Sequence, residues 1–455
     1  MPSTREAAEA LALSRGTVGQ AYEQLVSEGY LESVRGSGTF VCRQLPERLL
    51  HAPAVAGRLA AHGPGARLSS FGRRLRENFE RPGRLPGHIS LAHSGPDLDL
   101  FPWELWHRCY VRSLRSLSLD ALSHDRHVRG YEPLCDEIAG YVARSRGVRC
   151  SPGQVIVVNG SQQALDLCAR LLLDRGDEVV VENPGYIGAS RIFEASGARL
   201  RPVPIDAEGI VCGRLGHGAR LAYVTPAHQF PTGAALSLRR RLELIGWAHR
   251  HGAVIIEDDY DSEFRYSSRT LGALQGMDTG DRVIYLGTFS KVLFPALRLG
   301  YVVVPHELIP RFIRMREALD LFSPLLYQLV LTDFLREGHF ARHLRRMRAI
   351  YLARRNALIA AIREHGDVLT IENTDAGLHL VTFIPEDVDD LEVVSRAAEC
   401  GLFPAALSAC YAAAPSRAGL ILGFGGANEE VLTEGVRTLA GLVRDCRQTQ
   451  SQKWL

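Results

Sequence analysis

The sequence predicts an α/β chain: a mostly parallel sheet with helices on both faces and a smaller α+β part toward the C-terminus, preceded by a small helical unit with a hairpin. Three observations predict it. Six nearly continuous apolar runs, "QVIVV", "EVVVE", "LAYVT", "AVIIE", "VIYLG" and "GYVVV", alternate with longer helical stretches from about His88 to Arg447, as strands do when helices cover both sheet faces. Residues 1–43 instead read as helix, turn, helix and two short runs around a glycine-rich tip. Between the two, residues 44–86 shift to Arg, Ala, Gly and Pro, the composition of a linker.

The bulk properties agree. A chain of 455 residues exceeds one ordinary core, so two or more domains are expected, and 46% hydrophobic with 23% charged residues describes a globular protein. Lys and Arg total 53 against 51 Asp and Glu, a formal charge of +2. So small a charge excludes a global field drawing the chain to nucleic acid, and any such partner must be read from a local motif. The nine cysteines form no CxxC, and neither a leader-like segment nor a bilayer-length apolar run is present. Reduced thiols and a cytoplasmic location are the expectation.

Within residues 1–43, Ser3 and Glu6 have the spacing of a capping box that opens a helix through about Ala12. Ser14 can cap a second helix, in which Val18, Ala21, Tyr22, Leu25 and Val26 share one face. Gly29 stops it, and "YLESV" and "TFV" joined by "RGSG" read as a tight hairpin. That order is a winged helix-turn-helix, although any small helical unit with a hairpin would share it. The full string "PSTREAAEALALSRGTVGQAYEQLVSEGYLESVRGSGTFV" resembles the GntR-type winged helix nearly end to end. The resemblance implies that the helix starting near Ser14 enters the DNA major groove, with Arg15 and Thr17 facing bases or phosphates. It implies Arg5 on backbone phosphate, and Arg35 with the Gly36-Ser37-Gly38 tip near the minor groove. For each arginine alone, a solvated surface charge is the plain alternative. Family members carry another helix ahead of this segment, and Met1 stands where a leucine is usual. Either the reading frame starts late or the head is truncated, and Leu11, Val18 and Leu25 are then expected to lie exposed.

The segment 44–86 reads as a linker with a short helix around Leu68–Phe79, residues 87–447 as the large domain and 448–455 as a polar tail. In the large domain, "GTFSKVLFPALRLGY" sets Lys291 in an apolar context with Thr288, Ser290 and Arg298 nearby. A buried ammonium is costly unless it is paired or loses its charge. An amine beside hydroxyls and a guanidinium is what an aldehyde cofactor with a phosphate tail requires: a Schiff base at the lysine, with donors for the dianion. That cofactor is pyridoxal 5'-phosphate. In "AVIIEDDYDSEF", Asp258 and Tyr260 project from one strand face, suited to a pyridine nitrogen and a ring hydroxyl, with Asp259 and Asp261 facing the other way. In "VVNGSQQALDL", Ser161 and the amides of Gln162 and Gln163 form an anion site at a helix start. His249 and His251 read as solvated helix-end residues, with no third ligand at metal-binding spacing.

These stretches resemble the fold type I pyridoxal-phosphate enzymes, the aspartate aminotransferase superfamily. "GYEPLCDEIAGYVARSRGV", "ENPGYIGA", "TPAHQFPTG" and "IEDDYDSEFRY" are similar to its MocR-type members in particular, which join a GntR winged helix to this domain. The resemblance implies Lys291 as the aldimine lysine, Asp258 as the pyridine partner and Tyr260 at the phenolic oxygen. It implies Ser161, Gln162, Thr288, Ser290 and Arg298 on the phosphate, Tyr186 against the ring face and Tyr131 reaching the phosphate of a neighbouring subunit. Core packing is the rival role for both Tyr186 and Tyr131.

Two departures bear on function. Phe230 in "QFPTG" replaces the asparagine usual in aminotransferases, and "GLILGFGG" (419–426) is aliphatic where they place a carboxylate-gripping arginine, with Arg417 close by but out of register. The favoured expectation is a homodimeric DNA-binding regulator that senses an amine or amino acid by aldimine exchange at Lys291. Its rivals are a working aminotransferase with a residual helix-turn-helix, and a DNA-binding scaffold that keeps the cofactor for stability.

Overall fold

The computed structural model describes residues 1–34, 36–43, 67–74, 91–92, 95–118, 127–266, 272–372 and 375–453. The chain divides into two compact units, Met1–Leu68 and Ser69–Leu455.

In the first unit, α1 (Thr4–Leu11) opens with the capping box: Glu6 N–H donates to Ser3 Oγ at 3.3 Å and Ser3 N–H to Glu6 Oε2 at 2.9 Å. Helix α2 (Arg15–Ser27) is capped by Ser14, whose Oγ accepts from Thr17 N–H at 3.1 Å. The strands β1 (Leu31–Val34) and β2 (Gly38–Val41) pair antiparallel from Leu31↔Val41 to Val34↔Gly38. Ala7, Ala8 and Val18 form the small core, with Tyr22 packed on it. Val18 is therefore buried rather than exposed, because it sits on the face of α2 that meets α1. Leu11 is 64% exposed, as expected, and Leu25 is half-buried. Of the predicted helix around Leu68–Phe79, Ser70–Arg74 is helical (α3), and residues 75–79 lie outside the described residues, as do Arg35 and positions 44–66.

The second unit is built on an eight-stranded sheet of order β3-β10-β9-β8-β7-β4-β5-β6. All six apolar runs form strands: β3 (Val155–Val158), β4 (Glu178–Asn183), β7 (Ala219–Val224), β8 (Val254–Asp259), β9 (Val283–Thr288) and β10 (Gly300–Val303). Strands β4, β7, β8 and β9 run parallel, and β10 is antiparallel to both neighbours. Strand β5 (Arg199–Asp206) interleaves polar residues and prolines, and the edge strand β6 (Gly209–Ile210) is only two residues long, which hides both from a search for apolar runs.

Ile156, Val158, Val179, Val181, Ile256 and Leu286 pack toward α4 (Ser161–Leu172) and α5 (Ile187–Ser196) on one face, and Val180, Ala222, Ile255 and Val283 toward α6 (Leu238–His251) on the other. Strands buried on both faces have no polar side to show, which is why they read as unbroken apolar runs. Toward the C-terminus a second, antiparallel sheet of order β11-β12-β14-β13 forms from β11 (Thr370–Ile371), β12 (His379–Phe383), β13 (Ala405–Ala406) and β14 (Gly419–Gly423). It packs with the helices His339–Glu364 and Glu429–Lys453 through Leu358, Ile362, Leu380, Leu422, Val436 and Leu439. The last helix runs on to Lys453, into the segment the sequence reads as a polar tail; the Gln and Lys residues there are good helix formers.

Candidate functional site

The carboxyl ends of β3, β4, β7, β8 and β9 converge, as ligand sites do in open parallel sheets. Asp258, next to last in β8, is 4% exposed, and its Oδ2 accepts from the Tyr223 hydroxyl of neighbouring β7 at 2.8 Å. Its Oδ1 is buried and meets no hydrogen-bond partner among the described residues. Burial pushes Asp258 up to about 7, against the lowering effects of the Tyr223 hydroxyl and the Lys291 charge. Such a carboxyl is poised to take up a cationic N–H. Burial likewise pushes Glu182, on β4, up to about 7, although Thr225 and Gln229 donate to it.

Lys291 follows β9 and is half-buried, and its charge acts on Asp258. Thr288 and Ser290 are each 8% exposed. Ser290 N–H donates to Thr288 Oγ1 at 3.2 Å, and Ser290 Oγ has no partner among the described residues. Helix α4 begins at Ser161 with no side-chain cap on Gly160, so its first amide groups are available to an anion. Gly160 has φ +91, and a Cβ there would lie 3.0 Å from Arg298 Nη2. Only glycine lets that guanidinium come so close, where Nη2 donates to Asn159 O at 2.9 Å. The helix start is held from behind: Asp320 Oδ2 accepts from Asn159 Nδ2 at 2.8 Å and from Gln163 Nε2 at 2.6 Å. Tyr186 Oη accepts from Gln162 Nε2 at 2.6 Å, and its ring meets Phe230 edge-on at 5.9 Å.

The residues fit pyridoxal phosphate in chemistry. They offer a buried acid with one unpaired oxygen, an amine beside it, and a cradle of hydroxyl, amide and guanidinium donors. The structure thus brings together Ser161, Gln162, Tyr186, Asp258, Tyr260, Thr288, Ser290, Lys291 and Arg298. Tyr131 stands apart: its N–H donates to Gln328 Oε1 at 2.8 Å and its ring lies 6.0 Å from His127.

Asp259 faces away from the site, as the alternation requires, taking Arg146 at 2.8 Å and the Tyr285 hydroxyl at 2.6 Å. Asp261 does not: β8 ends at Asp259, the chain bends, and Asp261 Oδ1 meets His228 Nδ1 at 2.8 Å. Tyr223, His228 and Asp261 escape a reading of spacing. The one signal for Tyr223 is a hydroxyl in the middle of the apolar stretch of "LAYVT", ahead of Thr225. Arg417 pairs with Glu372 at 2.9 Å and lies over the Phe383 ring at 3.4 Å, and all of β14 is buried. Arg417 is thus engaged by Glu372 and Phe383.

In the first unit, Arg5 is exposed and reaches Glu9 at 3.5 Å, a solvated pair that contributes little. Arg15 is the first residue of α2, and Thr17 Oγ1 lies 2.8 Å from Ser14 Oγ, so these two residues build the helix start. Gly36 and Gly38 take φ +85 and +105, which the tight hairpin tip requires, and Ser37 N–H donates to Val34 O at 3.0 Å. Among the described residues no helix is long and apolar enough to cross a membrane.

Residues 1–41 match the family model "Bacterial regulatory proteins, gntR family", and residues 126–408 match "Aminotransferase class I and II". The chain is 41% identical, over 96% of its own length and 88% of the relative's, to the probable rhizopine catabolism regulatory protein MocR of Rhizobium meliloti. It is 31% identical, over 95% and 88%, to the pyridoxine biosynthesis transcriptional regulator PdxR of Corynebacterium glutamicum. Among solved structures it is similar to LysN, the α-aminoadipate aminotransferase of Thermus thermophilus, complexed with N-(5'-phosphopyridoxyl)-L-leucine. That similarity has a TM-score of 0.76 and 29% identity, and covers 83% of this chain and 97% of that one.

Proposed function

Since the chain belongs to the MocR-type gntR-family regulators, DNA-binding proteins with a pyridoxal-phosphate-type aminotransferase domain, we propose that it senses a small amine or amino acid at Lys291. The observation that carries this reading is the buried Asp258, with an unpaired oxygen, beside the Lys291 amine and across from the donor cradle. Pyridoxal phosphate, when bound, supplies an aldehyde that links covalently to a primary amine and a ring that withdraws electrons. Asp258 would keep a proton on the ring nitrogen, and Tyr223 holds Asp258 in place. Ser161, Gln162, Thr288, Ser290, Arg298 and the start of α4 would hold the phosphate dianion, Tyr186 would support the ring, and Tyr260 would offer its hydroxyl to the ring oxygen. Lys291 would hold the cofactor through its amine, the group with which an effector amine would compete. A change in the unit's closure then alters how the DNA-binding heads are presented.

The domain reading runs with this: residues 1–43 as the DNA-binding head, with Arg5, Arg15, Thr17 and Arg35 on DNA, 44–86 as linker and 87–447 as the sensing domain. Two copies form the working unit, with Tyr131 of one reaching the phosphate in the other. Tyr131 is bonded to Gln328, next to the exposed Tyr327, and Leu319 and Leu321 are also exposed. Loss of the asparagine at Phe230 and of the arginine in β14 favours a sensor over a fast aminotransferase.

The test is a screen of amines against the purified protein, read by visible absorbance and by mobility of DNA from its own promoter region. The expected result is an amine that changes both, with borohydride reduction before the amine trapping the cofactor on Lys291. Rapid turnover of amino donor and keto acceptor, with DNA binding unaffected, would favour the enzyme reading instead.

A further inference from the structure

With phenylalanine at position 230, Tyr260 is the hydroxyl that would face the cofactor's ring oxygen in the reading above, and His228 and Asp261 surround it. His228 Nδ1 lies 2.9 Å from Tyr260 Oη and 2.8 Å from Asp261 Oδ1. His228 and Asp261 are 3% and 2% exposed. The other oxygen of Asp261 accepts from Leu378 N–H at 3.3 Å, so Asp261 is an acceptor on both sides. The hydrogen between His228 and Asp261 therefore belongs to Nδ1. That hydrogen is shared with Tyr260 Oη, whose own hydrogen cannot also point at Nδ1 and is left for another acceptor. The arrangement is packed tightly in place. The His228 ring stacks on Tyr260 at 5.7 Å and 28°, and a Cβ on Gly377, at φ +78, would lie 2.0 Å from His228 Cε1 and 2.6 Å from Asp261 Oδ2.

We propose that His228, oriented by Asp261, is a positioning residue that makes Tyr260 a hydrogen-bond donor to the ring oxygen, supplying the anchoring that Phe230 cannot. The inference rests on the cofactor reading above. His228, Asp261 and His379 also lie close enough together to suggest a metal site. His379 Nε2–H, however, donates to Pro231 O at 2.9 Å, and His228 Nδ1 is committed to Asp261, so hydrogen bonding accounts for the cluster.

The experiment uses the full chain and pyridoxal phosphate as probe, reading the cofactor's dissociation constant and the ratio of its long- to short-wavelength absorbance. His228→Leu should weaken binding about fivefold and change the band ratio, the scale of one lost buried hydrogen bond. His228→Asn, which keeps an N–H at the place of Nδ1, should recover most of both. In a Tyr260→Phe background, His228→Leu should have no further effect. Asp261→Asn, which leaves the imidazole in place, should reproduce the change in band ratio even if His228→Leu does not fold. Variants within twofold of wild type, or a His228→Leu effect as large without the Tyr260 hydroxyl as with it, would overturn the positioning role while the wild-type band left the cofactor reading intact. A wild-type protein with no visible band would overturn both.

Discussion

Tyr223 on β7 and Asp258 on β8 are joined side chain to side chain at 2.8 Å across adjacent parallel strands, and this one bond orients the buried acid of the site. Tyr223→Phe removes the donor and leaves Asp258 Oδ2 buried without it. A hydrogen bond to an ionised group contributes about 1.5–3 kcal/mol, and a loss of that size in unfolding free energy is expected in urea at mildly alkaline pH. An unchanged urea midpoint would mean that Asp258 is neutral there.

Asp258 should also write itself into the pH dependence of the cofactor-free protein. Its folded value is raised from 3.8 to about 7, mainly by burial. The native state then binds this proton more tightly than the unfolded chain, so the contribution of Asp258 to stability falls as pH rises through that window. Asp258→Asn removes the effect. Relative to wild type it should gain stability with rising pH, by up to about 1.4 kcal/mol per pH unit, and level off above about pH 8. Urea unfolding at several pH values reads it, and a difference independent of pH would contradict it.

Covalent and ionic contributions to cofactor retention should separate at Lys291 and Arg298. Lys291→Ala should abolish the visible band, while Arg298→Ala keeps it and binds roughly ten- to a hundredfold more weakly, as one charge-assisted contact is lost. An intact band in Lys291→Ala would remove the lysine's assignment.

The small unit offers an independent check at Val18, which is 4% exposed against Ala7 and Ala8. Val18→Ala should cost about 1–3 kcal/mol, a large share of the stability of so small a core. Affinity for promoter DNA should drop, with its salt dependence, while the visible spectrum stays as in wild type. Equal DNA affinity and equal amide protection would show that the core around Val18 does not limit binding.

Asp258, Tyr260 and Lys291 are legible in the chain because local geometry governs them: residues two apart in a strand share a face, and a lysine among apolar residues and hydroxyls stands out. The capping box at Ser3, the cap at Ser14 and the six apolar strands are legible for the same reason, since each depends on neighbours a few residues away. Strand order is different. That β7 lies beside β8, placing Tyr223 on Asp258, and that β10 runs antiparallel to β9, follow from how helices pack over the sheet, which no short window contains. Asp261 shows the boundary most sharply. Alternation along β8 sends it away from the site, but the strand stops at Asp259, and the bend beyond it delivers Asp261 to His228, 33 positions earlier in the chain. Local spacing determines which side chains share a strand face or a helix start and so become candidates for the chemistry, because it acts through bonds and dihedrals. The partners that orient them are decided only when distant strands and loops pack together, because burial and hydrogen-bond satisfaction act through space.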